Sequence, residues 1–300
     1  MITLQETLRG VFYAPFYAAM ERGAFAAEGV DIHFVSSPAP ERALDALMDG
    51  TADVGWGGPM RVNLGNRTVQ GADFVCFGEV VTRDPFMLVT REARGPYAPA
   101  QLVGLRLGSV SEVPTPWLCL QHDMRLAGVD PASVARTAGR SMAENAADLL
   151  AGSLDVAQVF EPYAAALVEA GCRVWWAAAA RGPCSYTTLY ARRGVVAAKR
   201  AELVRMVRAL WRTQQWVASV DGAALAGVVA AYFPDVPRAR LAVALERYRG
   251  LGIWGRDPVL PRGGYERFRD SLMSGGLVAS GLAFEEAVDN SLAEEVLAAG

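Results

Sequence analysis

Apolar positions along the first 80 residues fall into short strand-like runs that alternate with runs at helical spacing. Residues 2–8, 30–35, 53–56 and 74–81 predict strands, and residues 15–27, 40–48 and 60–66 predict the helices between them. Strands that alternate with helices in this way imply parallel βαβ units. The rhythm restarts after a Pro/Gly break at 95–99, with strands at 105–107, 134–137, 156–160 and 173–176 and helices at 115–127, 142–150 and 162–170. Beyond a last strand at 186–191 the chain is almost wholly helical, with long amphipathic stretches at 199–220 and 238–249. The pattern predicts two similar α/β lobes, with the C-terminal helices packing back on the first.

Composition narrows the function classes. The 300 residues carry 29 basic and 32 acidic side chains, a net charge of −3, with the two signs mixed along the chain. No basic face is expected for nucleic acid or an anionic membrane. Apolar runs such as residues 223–233 fall short of the ~18 needed to span a bilayer. The opening MITLQETLRG has neither the basic nor the apolar region of a signal peptide and reads as a strand, so either a cytoplasmic chain or a mature form is expected. Cys76, Cys119, Cys172 and Cys184 share no metal-binding or redox spacing and read as small core residues, although Cys172 and Cys184 could pair in an oxidising compartment. Only Lys199 is a lysine, which removes almost every candidate for lysine chemistry.

In open α/β sheets ligands bind beyond the carboxyl ends of strands, so the loops there carry the functional signal. They are rich in Gly, Ser and aromatic residues, and several open directly into helices, whose free N–H groups favour an acceptor or an anion. Phe12, Tyr13, Trp56, Gly57, Gly58, Met60 and Glu79 are the candidate ligand contacts of the first half. Ser109, Ser111, Met142, Glu161, Tyr163 and Tyr186 are those of the second half and its return. Arg9, Arg61, Arg83 and Arg140 are candidates for an anionic head group through bidentate hydrogen bonds. Trp254, Asp257 and Pro258 read as a turn between helices.

Four segments, in order, carry a family resemblance: FYAPFYAAMERGAFAAEGVDIHFV, DALMDGTADVGWGGP, LLAGSLDVAQVFEPYAAALVEAG, and RYRGLGIWGRDPVLPRGGYERF followed by FEEAVDN. Together they resemble ABC-transporter substrate-binding proteins of the nitrate, sulfonate, taurine and pyrimidine-precursor branch, which includes thiamine pyrimidine synthase-like proteins. The resemblance implies a type II periplasmic-binding-protein fold with lobe 1 formed by residues 1–88 and 190–300 and lobe 2 by 89–189. Crossover strands are expected near 85–90 and 186–191, and closure on the ligand by hinge motion. It also implies a periplasmic monomer that hands a small organic ligand to an importer permease, without a cofactor.

The same fold carries enzymes, and the residues argue against them here. A pyrimidine synthase-like reading wants an active-site lysine, a histidine and a cysteine-rich motif; Lys199 lies in the helical part, and His33 and His122 read as structural. A desulfinase-like reading wants a nucleophilic cysteine in the first strand-to-helix loop, and residues 9–13 hold none. A stand-alone ligand sensor is the remaining alternative. The loops are more aromatic than cationic, which favours an aromatic or heterocyclic ligand such as a pyrimidine precursor, with a sulfonate as the alternative.

Overall fold

The computed structural model describes all 300 residues. The chain begins with β1 (Ile2–Glu6), α1 (Ala14–Glu21), α2 (Ala24–Ala27), β2 (Ile32–Ser36), α3 (Asp45–Met48), β3 (Val54–Gly57), α4 (Met60–Thr68) and β4 (Phe74–Val81). It continues with β5 (Met87–Thr90), β6 (Arg106–Val110), α5 (Thr115–Leu126), β7 (Ala135–Arg140), α6 (Met142–Ala151), β8 (Val156–Val159), α7 (Tyr163–Glu169) and β9 (Arg173–Ala177). After β10 (Thr187–Arg192) come α8 (Arg193–Ala198), α9 (Arg200–Ser219), α10 (Gly222–Val229), α11 (Arg238–Leu251), α12 (Arg262–Ser274), α13 (Phe284–Ala287) and α14 (Ser291–Ala298).

Two five-stranded sheets result, in the orders β2-β1-β3-β10-β4 and β7-β6-β8-β5-β9. In each, a parallel trio comes from the local βαβ rhythm. The fourth strand runs antiparallel and enters from the other lobe: β10 lies between β3 and β4, and β5 between β8 and β9. This is the two-lobed α/β arrangement of the type II fold. The borders drawn from the sequence fall inside β5 and β10, whereas the chain crosses between sheets at residues 82–86 and 178–186.

Several helices end where local chemistry dictates. At α6, Ser141 Oγ accepts from the Glu144 N–H at 3.2 Å while the Glu144 carboxylate accepts from the Ser141 N–H at 2.8 Å. That reciprocal cap fixes the start, and Gly152, at φ +81°, ends the helix. The single helix expected over 15–27 is broken in two, because Gly23 takes a left-handed conformation at φ +65°. The helix expected over 40–48 is likewise reduced to a turn at Pro40–Arg42 followed by α3.

The C-terminal helices do more than cover the first lobe. Helices α9 and α14 pack there, but α11 packs on α7 and α12 on α5, so they straddle both lobes. The segment around Trp254 is no simple turn either. It runs beside β4, with the Glu79 N–H donating to the Pro258 carbonyl at 2.8 Å and the Gly255 N–H to that of Val80 at 3.0 Å. This pairing covers an otherwise open sheet edge.

The two crossing segments are bonded to each other. Cys184 N–H donates to Thr82 O, Tyr186 N–H to Val81 O and Ala178 N–H to Phe86 O, at 2.8–2.9 Å. The buried Arg181 guanidinium joins Asp84 of the opposite crossing to Asp123 of α5. All four cysteines are free; Cys184 lies beside Cys119 rather than Cys172. A buried charge pair is costly to break from one side, by about 3–5 kcal/mol. Arg181→Met is therefore expected to lower the urea midpoint sharply, and adding Asp84→Asn to recover part of the loss. An unchanged midpoint in the single variant would refute this role.

Candidate functional site

The loop after β1 is shaped by one buried carboxylate. Glu6 accepts from the Arg9 Nε at 3.0 Å, from the Tyr17 hydroxyl at 2.8 Å and from the Ser36 hydroxyl at 2.7 Å. Arg9 also lies over the Tyr17 and Tyr232 rings, each centroid 5.3 Å away. Held at that corner, the chain turns through Gly10 and places Phe12 and Tyr13 at the inter-lobe cleft. From the far end of the sequence, Trp254 Nε1 donates to the Phe12 carbonyl at 2.8 Å and fixes the loop from behind.

Two adjoining cavities lie where the lobes meet, sharing Leu8, Val113 and Phe160 as their common wall. The inner one, about 40 Å³, sits against the crossings and takes Phe12, Tyr13, Gly57, Gly58, Met60 and Tyr186 in its lining. The outer one, about 360 Å³, is mostly apolar and includes Met142, Glu161 and Tyr163. The Phe160 ring of the second lobe meets Phe12 of the first edge-on at 5.2 Å and Phe86 of the crossing at 5.1 Å. Gly58 is needed there: a Cβ would stand 3.2 Å from the Tyr186 carbonyl and 3.1 Å from the Phe268 ring. A larger groove of about 510 Å³ runs along α1, α2 and β2, but one lobe alone lines it and it touches neither crossing.

Nine of the thirteen residues expected from the sequence thus line the paired cavities, and four do not. Trp56 is fully buried in the first lobe, sandwiched between Phe16 at 4.3 Å and Phe34 at 5.5 Å. Side chains alternate along a strand, so the neighbour Gly57 faces the cavity instead. Ser109 is buried and accepts from Arg136 Nε at 2.6 Å, while Ser111 is exposed in the loop before α5. Glu79 is buried beside Ser185 and Thr82 of the crossings and near Asp257 of the segment that runs along β4. Glu161 lines the outer cavity, yet its carboxylate already accepts from the Ala165 N–H and pairs with Arg247.

Sequence reasoning also missed residues. Thr115, Phe86 and Phe160 were legible as neighbours of the chosen loops, but Phe233 and Val236 come from the loop between α10 and α11 and Phe268 from α12, with no local signal. Of the four arginines considered for an anion, Arg61 lines the inner cavity and Arg9 the outer. Arg140 pairs with Asp148 at 2.8 Å, and Arg83 donates to the Ala179 carbonyl at 3.2 Å. No cysteine, lysine, histidine or serine lines either cavity.

Paired βαβ lobes, two crossings and a cleft lined from both sides define the periplasmic-binding-protein class of fold. Within it, the chain belongs to the NMT1/THI5-like family, whose model matches residues 12–220. YtlA of Bacillus subtilis (strain 168), named as a binding protein, is 22% identical over 98% of this chain and 89% of its own length. A Bordetella bronchiseptica RB50 structure aligns with TM-score 0.76 at 18% identity, covering 99% of this chain and 97% of that one. The periplasmic aliphatic sulphonate binding protein SsuA of Escherichia coli aligns with TM-score 0.73 at 17% identity, over 92% and 90% of the two chains. The desulfurization enzyme DSZB shares the fold too, with TM-score 0.70 at 16% identity over 100% and 99%.

Glu79 gives the hinge region a pH signature. Burial, only partly offset by the Ser185 and Thr82 hydroxyls, pushes its carboxyl up from 4.5 to about 8. The folded protein then holds a proton that the unfolded chain has released, so stability present below pH 4.5 is lost as pH rises towards 8. The slope is roughly 1.4 kcal/mol per pH unit across that window. Urea midpoints between pH 5 and 8 should fall more steeply for the native chain than for Glu79→Gln, which should be the more stable at pH 8. Parallel profiles would show that Glu79 is ionised in the fold.

Proposed function

We propose that the chain is the solute-binding component of an ABC importer, capturing a small organic molecule between its lobes outside the cytoplasmic membrane and presenting it to a permease as a monomer. The observation that carries this reading is the paired cavity itself. It is lined from both lobes, backs onto the two crossings, and so is reshaped by any rotation of one lobe against the other. A ligand that touches both walls favours the closed arrangement by its difference in affinity for the two states. The relatives named for binding support the role, and the aliphatic sulphonates in one of their titles are among the ligands to try.

The likeness to a desulfurization enzyme makes catalysis the alternative. The lining weighs against it, since no cysteine, serine, lysine or histidine stands in either cavity and the Glu161 carboxylate is already held by Arg247 and the Ala165 N–H. Its polar groups are suited to holding and orienting a ligand. The aromatic faces of Phe12, Tyr13, Phe160 and Tyr163 supply an apolar seat for a planar body.

Thermal-shift screening against pyrimidines, alkyl and aryl sulfonates, nitrate and aromatic acids tests the reading. A true ligand raises the melting temperature with the logarithm of its concentration above Kd, and small-angle scattering should register a smaller radius of gyration on binding. Mass spectrometry of the recovered ligand should find it unchanged. Conversion of a hit to product would replace the carrier by an enzyme.

A further inference from the structure

Every arginine that the sequence offered for an anion has protein partners in the fold except Arg61. The residue is 6% exposed, lies in the first turn of α4 and lines the inner cavity. Its guanidinium has no salt bridge, and no side chain or carbonyl accepts a hydrogen bond from it; only its backbone N–H is engaged, with Gly58. The phenols of Tyr13 and Tyr190 are close enough to feel its charge, and neither is an anion at neutral pH. A buried cation with no counter-charge is expensive, because desolvation is not repaid by any partner. Such a group persists where a ligand supplies the missing charge.

The surroundings agree. Arg61 is the one charged residue among those lining the inner cavity. Helix α4 begins at Met60 and α5 at Thr115, both on its wall, so two helix N-termini from opposite lobes add their positive ends. Charge at the outer cavity differs in sign. Arg9 is paired with Glu6 and Glu161 with Arg247, whereas Glu112 accepts backbone hydrogen bonds from Met142 at 2.9 Å and Ser111 at 3.1 Å without a cation.

We propose that Arg61 is the anchor for the head group of an organic monoanion, a carboxylate or sulfonate, whose apolar or aromatic body extends past Phe160 into the outer cavity. The inference rests on the binding-protein reading and names its ligand class. Glu112 at the outer end disfavours a second negative group, so monoanions are preferred to dianions of the same shape.

The test uses benzoate and benzenesulfonate as monoanionic probes, benzamide as the neutral isostere and terephthalate as the dianion. Calorimetric titrations are run on the native chain, Arg61→Met and Arg61→Lys. The native chain should bind the monoanions at least tenfold more tightly than benzamide or terephthalate. Arg61→Met should abolish that preference, Arg61→Lys should keep part of it, and without ligand Arg61→Met should melt no lower than the native chain. Equal binding of benzoate and benzamide, unaffected by Arg61→Met, would overturn the anchor while leaving the carrier intact. A ligand-free Arg61→Met that melts far lower would make Arg61 a structural residue and also overturn it. Binding of no probe, charged or neutral, would count against the carrier and the anchor together.

Discussion

Much in this molecule depends on the hydrogen bonding between its two crossings. Neither crossing belongs wholly to a lobe, and each delivers an antiparallel strand into the other lobe's sheet. Because Thr82 bonds to Cys184 and Val81 to Tyr186, the passages behave as one ribbon rather than two tethers. Arg181 binds that ribbon to α5 through Asp84 and Asp123. Such a ribbon can bend about its length more readily than it can shear, so it guides relative motion of the lobes along a narrow path. The inner cavity sits against this ribbon, with Phe86 and Tyr186 in its wall.

The site is assembled by layers of support. Glu6 fixes Arg9 and the corner after β1, Trp254 holds the Phe12 carbonyl, and the stacked Trp56 keeps the carboxyl end of β3 in place behind Gly57. Contact with the cavities falls mainly to Gly57 and Gly58 and to aromatic and aliphatic side chains. In this arrangement polar groups that could bind strongly are mostly satisfied by the protein, as Glu161 is by Arg247 and the Ala165 N–H. Arg61 stands out against that background because its neighbours leave it unmatched.

How much of this the sequence revealed depends on the range of the interactions involved. Strand β4 was legible to the residue because a mostly apolar run, interrupted only at Gly78 and Glu79 and bounded by polar turns, has few alternatives. The family and the two-lobed plan followed from words such as DALMDGTADVGWGGP in their order. The break at Gly23 was harder, since a glycine inside a helical pattern is often tolerated. Among site residues, those at strand ends were found as a class, but which of two neighbours faces the cleft was set by strand alternation, so Gly57 lies at the cavity while Trp56 turns into the lobe. Glu79 packs against a partner 179 positions later, Pro258, and no local pattern carries that information. The same holds for the unpaired state of Arg61, which is a property of what the fold leaves out of reach.

The single lysine has a practical side. Lys199 precedes α9, bonds to Asp53 at 2.8 Å and keeps about a third of its side chain in solvent, on the first lobe and outside both cavities. Within these 300 residues it is the only side-chain amine, so once the α-amine is blocked an acylating dye would attach there without obstructing the cleft. The protein carries a ready position for one half of an optical pair reporting the distance between its lobes.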